Sequence, residues 1–166
     1  YEDLADIQDA FVEFVNKVPF YGLGVLCIDE PEVQSILPRI ERRFITYGFS
    51  SQADVQARNE KYEGFGCSFD LYWRNENLGR VVLNIPGKHT ISNALAAMAI
   101  ALELQVDPET MIKSMEGFQN ADRRMQKRGE VNDILFLDDY GHHPTEIKAT
   151  LKTLKSGAYR MNVCKI

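Results

Sequence analysis

Apolar residues along this chain follow two different periods, and the change from one to the other divides the sequence. Leu4, Ile7, Phe11, Phe14, Val15 and Val18 recur at helical spacing, which predicts an amphipathic helix over about residues 2–17, ended by Pro19. Residues 22–28 (GLGVLCI) form a continuous apolar run, the signature of a strand buried on both faces. Asp29-Glu30-Pro31 then opens a short helix with Val33, Ile36 and Leu37 on its apolar side, limited by Pro38. Residues 43–49 (RFITYGF) predict a second strand. Strand, helix and strand in this order predict a parallel α/β unit.

Strict alternation takes over next. Phe65, Cys67, Phe69, Leu71 and Trp73 alternate with polar or small residues, as do Val81, Leu83 and Ile85. Residues 74–79 (RNENLG) have turn composition, so an antiparallel hairpin is expected, extended by a strand within residues 53–62. Pro86-Gly87 breaks the sheet. Helical spacing returns in Ile91, Leu95, Met98 and Leu102, among alanines that permit close packing. Asp107-Pro108 fits an N-cap and first helical position, with the helix running to about Met115 and Gly117 as its stop. A charged connector is expected over residues 120–129. Residues 134–137 (ILFL) predict a buried strand, and Ile147, Leu151 and Leu154 a final helix. The expected boundary near Gln119 separates units 1–119 and 120–166.

Composition narrows the classes. Hydrophobic residues make up 45% and charged residues 26%, the balance of a folded globular chain rather than a disordered one. The net charge of −5 weighs against a general nucleic-acid binder, which needs a positive field. Cys27, Cys67 and Cys164 are odd in number and form no CxxC pair, so neither a zinc site nor a disulfide framework is expected; a reducing, cytoplasmic setting is. No apolar run is long enough to span a membrane. Tyr1 is not an initiator methionine, so the chain is expected to start inside a larger protein.

Three stretches carry side chains suited to chemistry. Residues 138–144 (DDYGHHP) lie between an expected strand and an expected helix, where α/β sheets gather ligands. Asp139 suits a ribose hydroxyl or a cation, and His142 suits a phosphate or developing charge. The same residues also suit an acidic turn with solvated histidines and Pro144 at the first helical position. Adjacent histidines without a third ligand do not define a metal site, and none is assigned. Residues 87–93 (GKHTISN) share Gly-Lys with a phosphate loop, but that loop needs glycine at position 82 and Ser or Thr at 89, where Val82 and His89 stand. What remains is a helix start with His89 and Asn93 on one face, suited to an adenine edge or to bracing the helix. Residues 123–128 (RRMQKR) place four cations in six positions, suited to a polyphosphate or to a solvated strand edge; the interleaved aromatics of a single-strand binder are absent.

Taken together, these stretches resemble the Mur ligase family. Residues 138–144 look like the signature that opens its C-terminal domain. Pro86-Gly87-Lys88-His89 followed by Asn93-Ala94-Leu95-Ala96-Ala97 resembles its adenine-contacting helix start. Arg123-Arg124-Met125 resembles its interdomain element, and residues 19–22, 27–29 and 45–49 resemble its central domain. The resemblance covers about residues 2–155. Thr90 stands where the family often has Asn, and the tail 156–166 does not read like the expected continuation.

The resemblance implies an α/β fold: a partial P-loop-type central ATPase domain with a small antiparallel sheet, then the start of a Rossmann-like C-terminal domain. It implies an ATP-dependent ligase of peptidoglycan synthesis that joins L-alanine to UDP-N-acetylmuramate. The family's alternative member, a murein-tripeptide recycling ligase, usually has Phe-Ala where Tyr140-Gly141 stand here. A non-catalytic nucleotide-binding remnant is the remaining reading. ATP and Mg2+ would be the cofactors, with the phosphate loop, the metal ligands and a UDP-binding domain expected upstream of Tyr1. By position, His89 and Asn93 would meet adenine, Arg124 the ATP phosphates and Asp139 the ribose. Arg124, His142 and His143 would line the catalytic face. No nucleic-acid or membrane partner is implied, and the chain alone is expected not to form product.

Overall fold

In a computed structural model, residues 3–63, 65–119 and 121–156 are described. Cys164 and the tail that was expected to diverge, apart from Ser156, lie outside them. The first part of the chain runs α1 (Leu4–Asn16), β1 (Gly24–Cys27), α2 (Pro31–Ile36, continued by a 3₁₀ turn, Leu37–Arg39), β2 (Phe44–Gly48), β3 (Val55–Glu63), β4 (Gly66–Trp73), β5 (Glu76–Leu83), α3 (Lys88–Glu103) and α4 (Pro108–Glu116). The second part runs β6 (Gln126–Val131), β7 (Ile134–Asp138) and α5 (Pro144–Ser156).

The fold is α/β. Five strands form one mixed sheet in the order β1-β2-β3-β4-β5. β1 and β2 are parallel, with Val25 opposite Ile45. β2 meets β3 in parallel only at Tyr47 and Gly48, and β3, β4 and β5 then run antiparallel. The antiparallel hairpin therefore continues the parallel pair instead of standing as a sheet of its own. Side-chain carboxylates make this join possible. Asp54 accepts from the backbone N–H of Thr46 (2.9 Å) and from its hydroxyl (2.8 Å), while the Asp54 N–H donates to the same hydroxyl oxygen. Asp29 accepts the N–H groups of Phe49 and Ser50 at the end of β2.

α3 covers this sheet. Ile91, Leu95, Met98 and Ala99 bury themselves against Val55, Ala57, Phe69, Leu71, Val81 and Leu83. Fully burying each large side chain in this layer contributes about 1.5–3 kcal/mol. α4 closes on β5 through Met111 and Ile112, and Asp107 caps it by accepting the Thr110 N–H at 2.9 Å. Cys67 is part of the same core: its thiol donates to the Ile85 carbonyl, and burial pushes its pKa up to about 11. Cys27 is half-buried.

Four expectations need correcting. The apolar stripe of α1 is buried only at its C-terminal end: Leu4, Ile7, Phe11 and Phe14 are exposed, while Val15 of the stripe and Val12 beside it are buried. Polar ties set this rotation. Asn16 donates to the Arg39 carbonyl and accepts the Glu41 N–H, Arg39 pairs with Asp9, and Val15 packs over Gly24, which has no side chain to obstruct it. The turn between β4 and β5 is shorter than residues 74–79; Arg74 and Asn75 alone make it, both with positive φ, as a two-residue hairpin requires. The charged connector is not a loop as far as Gly129, because β6 begins at Gln126 and pairs antiparallel with β7 through a second turn of the same kind at Asn132-Asp133. Finally, β7 is not buried throughout. Ile134 and Phe136 are exposed while Leu135 and Leu137 are half-buried, because the two-stranded β6–β7 sheet has only one covered face.

Candidate functional site

The N-terminal half of α3 faces the start of α5 across a cavity of about 600 Å³, a size suited to a nucleotide-scale ligand. Its apolar lining comes from Leu83, Ala94 and Ala97 on one side and from Met115, Phe118 and Met125 on the other. The alanines follow from the sequence of α3, where small side chains leave room along one face. The charged and amide or imidazole groups in the lining are His89, Asn93, Arg124, Asp139 and Glu146, and three threonines, Thr90, Thr145 and Thr150, join them. Apolar side chains interspersed with a few hydrogen-bonding groups suit a purine ring, since its faces seek apolar contact and its edge carries donors and acceptors.

Gly87 caps α3 with φ of +111°, a backbone that L side chains rarely adopt. The turn it makes starts the helix one residue before His89 and aims that ring into the cavity. His89 is half-buried, and burial lowers its pKa below the usual 6.5; Arg124 lowers it further, and Asp139 opposes the shift. It is therefore neutral at pH 7, with one ring nitrogen donating and the other accepting. Asn93 lies one turn along the same face. Thr90 is buried, and its hydroxyl donates to the Pro86 carbonyl at 2.9 Å, so this side chain braces the helix start. Lys88 is spent elsewhere: its ammonium sits 4.3 Å from the centre of the Phe49 ring.

From the second part of the chain, the Arg123–Met125 turn and the loop before α5 complete the lining. Arg124 lies 3.8 Å from the Glu146 carboxylate. Asp139 accepts the N–H groups of Met125 (3.0 Å) and Gly141 (2.8 Å). Met125 is buried and Tyr140 exposed. Four residues singled out from sequence, His89, Asn93, Arg124 and Asp139, therefore meet at one cavity although the sequence separates the first from the last by fifty positions.

His142 and His143 do not line it. His142 is exposed and its ring lies 3.4 Å from the Tyr140 carbonyl; His143 accepts the Thr145 N–H through its ring and so caps α5, with Pro144 as the first helical residue. The other cations of residues 123–128 are paired locally: Arg123 and Arg128 with Asp138, and Lys127 with Glu130. Glu146 was not expected here. It sits in the first turn of α5 and accepts the His142 N–H, an arrangement related to the capping box, and the Glu three residues after His143 is the signal that reveals it. Among the described residues, no group of three or more His, Cys, Asp or Glu is placed to hold a metal ion, and no helix is long and apolar enough to cross a membrane.

Comparison with known proteins places this geometry. A family model described as the Mur ligase middle domain matches residues 1–101, and one described as the Mur ligase glutamate ligase domain matches residues 123–164. The UDP-N-acetylmuramate–L-alanine ligase of Desulforapulum autotrophicum is 50% identical over 157 residues, which is 95% of this chain and 34% of that protein. The ligase of the same name from Geobacter sp. strain M21 is 48% identical over the same shares. The chain thus spans about a third of the length of these curated relatives. Among solved structures, MurF of Acinetobacter baumannii superposes with a TM-score of 0.80 at 25% identity, covering 91% of this chain and 33% of that one. The UDP-N-acetylmuramate-alanine ligase of Thermotoga maritima shares the fold, with a TM-score of 0.75 at 22% identity over 94% of this chain and 34% of that one.

Proposed function

Because this chain belongs to the Mur ligase family, we propose that it is the nucleotide-clasping portion of an ATP-dependent ligase that joins L-alanine to UDP-N-acetylmuramate in peptidoglycan synthesis. The observation that carries this reading is the convergence of His89, Asn93, Arg124 and Asp139 on one cavity with apolar walls. The identity of about a half with the two named ligases supports the choice of substrates.

In the proposed reaction, the γ-phosphoryl group of ATP passes to the substrate carboxylate, and the amine of L-alanine then displaces phosphate to leave the amide and ADP. The residues of this chain serve the nucleotide end. Neutral His89 and Asn93 would hydrogen-bond the adenine edge while Ala94, Ala97 and Phe118 enclose its faces. Asp139 would accept from the ribose hydroxyls, and Arg124, swinging from Glu146, would meet the phosphates through its guanidinium fork. His142 and His143 would face the reacting end from the exposed turn ahead of α5. The family's reaction calls for Mg2+, whose charge would offset that of the phosphates; no step is assigned to it in the described residues. The unit boundary would fall near Gln119, and a cytoplasmic location follows from the substrates.

Calorimetric titration of the chain with ATP tests the reading. Binding is expected for the parent chain. His89→Ala and Asn93→Ala are each expected to weaken it about tenfold, the loss of one hydrogen bond to a buried partner, with unchanged melting temperature. Undiminished affinity in the double variant would overturn the assignment of the adenine edge.

A further inference from the structure

The carboxylate of Asp139 reaches across 14 positions of sequence to Met125 as well as forward to Gly141. Its Oδ2 accepts the Met125 N–H at 3.0 Å and its Oδ1 the Gly141 N–H at 2.8 Å. Beside it, the Tyr140 N–H donates to the Arg123 carbonyl at 2.6 Å. Two of these bonds, Met125 N–H to the Asp139 carboxylate and Tyr140 N–H to the Arg123 carbonyl, sew the Arg123–Met125 turn to the segment between β7 and α5, and the third, from Gly141, holds the carboxylate within that segment. That turn needs such support. Arg123 and Met125 both have positive φ (61° and 47°), a conformation that costs a side-chain-bearing residue of order 1–3 kcal/mol and persists only where its surroundings impose it. Side chains reinforce the seam, with Arg123 over the Tyr140 ring and beside Asp138.

We propose that Asp139 is a positioning residue: its carboxylate clamps the Arg123–Met125 turn to the loop before α5, so that Arg124 and the Met125 wall of the cavity are carried by the second part of the chain as one rigid piece with α5. This deepens the nucleotide-site reading and rests on it for its functional consequence. A carboxylate offers about four acceptor sites, and the clamp uses two, so a ribose contact and the clamp are separable roles of one side chain. Gly141 belongs to the device. A Cβ built there would lie 2.7 Å from Asp139 Oδ1, so alanine at this position forces the carboxylate out while leaving it in the protein.

The test compares Asp139→Ala, Asp139→Asn and Gly141→Ala in the full chain, reading amide hydrogen exchange residue by residue and titrating with ADP and with 2′-deoxy- and 3′-deoxy-ADP. The clamp predicts that Asp139→Ala and Gly141→Ala speed exchange at the Met125 and Gly141 amides by about tenfold or more, and that Asp139→Asn, which keeps one acceptor oxygen, does so at one of them at least, while the α3 amides of Leu95 and Met98 stay protected. It also predicts that they weaken ADP and the deoxynucleotides by the same factor. Unchanged exchange at Met125 and Gly141 in Asp139→Ala overturns the proposal. So does a loss of affinity that is confined to the Asp139 variants and vanishes with the deoxynucleotides, because that pattern belongs to a ribose contact alone. If the parent chain binds no ADP, the nucleotide reading fails, and the exchange pattern still decides the clamp. Should Asp139→Ala lose protection in α3 as well, Gly141→Ala decides in its place.

Discussion

His89 shows how one side chain can link fold and function through its charge. Burial disfavours its cation, so the unfolded chain takes up a proton more readily than the folded one. Between the lowered folded pKa and the ordinary value of 6.5, stability therefore rises with pH, and above that window this residue adds no further dependence. Adenine binding should follow the same sense, since only the neutral ring both donates and accepts. ATP affinity is expected to be level at pH 7 and above and to fall only as the pH drops through the lowered pKa of the folded chain, on the acid side of 6.5, and His89→Gln should flatten the profile; titration calorimetry at several pH values checks this. At this scale the sequence was most legible where chemistry and periodicity coincide. His89 and Asn93 stand four apart at a helix start, and Asp139 follows an apolar strand. Glu146 escaped because its importance comes from α5 facing Arg124, a contact between distant segments. His142 and His143, singled out by their chemistry, lie outside the cavity lining and make local hydrogen bonds in the turn before α5.

Among the elements, the start of α3 matters most for the site, and Gly87 makes it possible. A Cβ at Gly87 would lie 2.7 Å from the His89 ring and 3.0 Å from the Thr153 hydroxyl, on a backbone of positive φ. Gly87→Ala is expected to cost about 1–3 kcal/mol and, on the proposed adenine contact of His89, to weaken nucleotide binding by displacing that ring. Gly117→Ala is the contrasting case: φ is −89° and the nearest atom lies 3.9 Å away, so it should be tolerated or slightly stabilising. Thermal melts with and without ADP compare the two. Helices and strands with a clean period were legible from sequence, notably α3, β4 and β5. The rotation of α1 was not, because Leu4, Ile7, Phe11 and Phe14 marked a face that stays exposed while Asn16, Asp9 and the packing of Val15 on Gly24 fixed another. β6 was hidden for a related reason: its residues, QKRGEV, carry no apolar alternation, and only pairing with β7 makes them a strand.

In the molecule as a whole, the fold class and the grouping of motifs were legible, while the cavity was not. Its walls come from α3 and from the Arg123–Met125 turn and α5, and nothing in the periodicity of either part states that they will face each other. At the cavity Arg124 is the one cation of residues 123–128 in the lining, beside Asp139 and Glu146, while Arg123, Lys127 and Arg128 are paired with Asp138 and Glu130. Between those walls the chain passes through Gly117, Phe118 and Gln119, all exposed. A protease that cuts after aromatic residues should find Phe118 early. Phe118 also lines the cavity, so a bound nucleotide would cover this exposed bond. Limited chymotrypsin digestion should therefore slow at this bond as ATP is added, and the protected fraction would serve as an occupancy gauge that needs no catalysis.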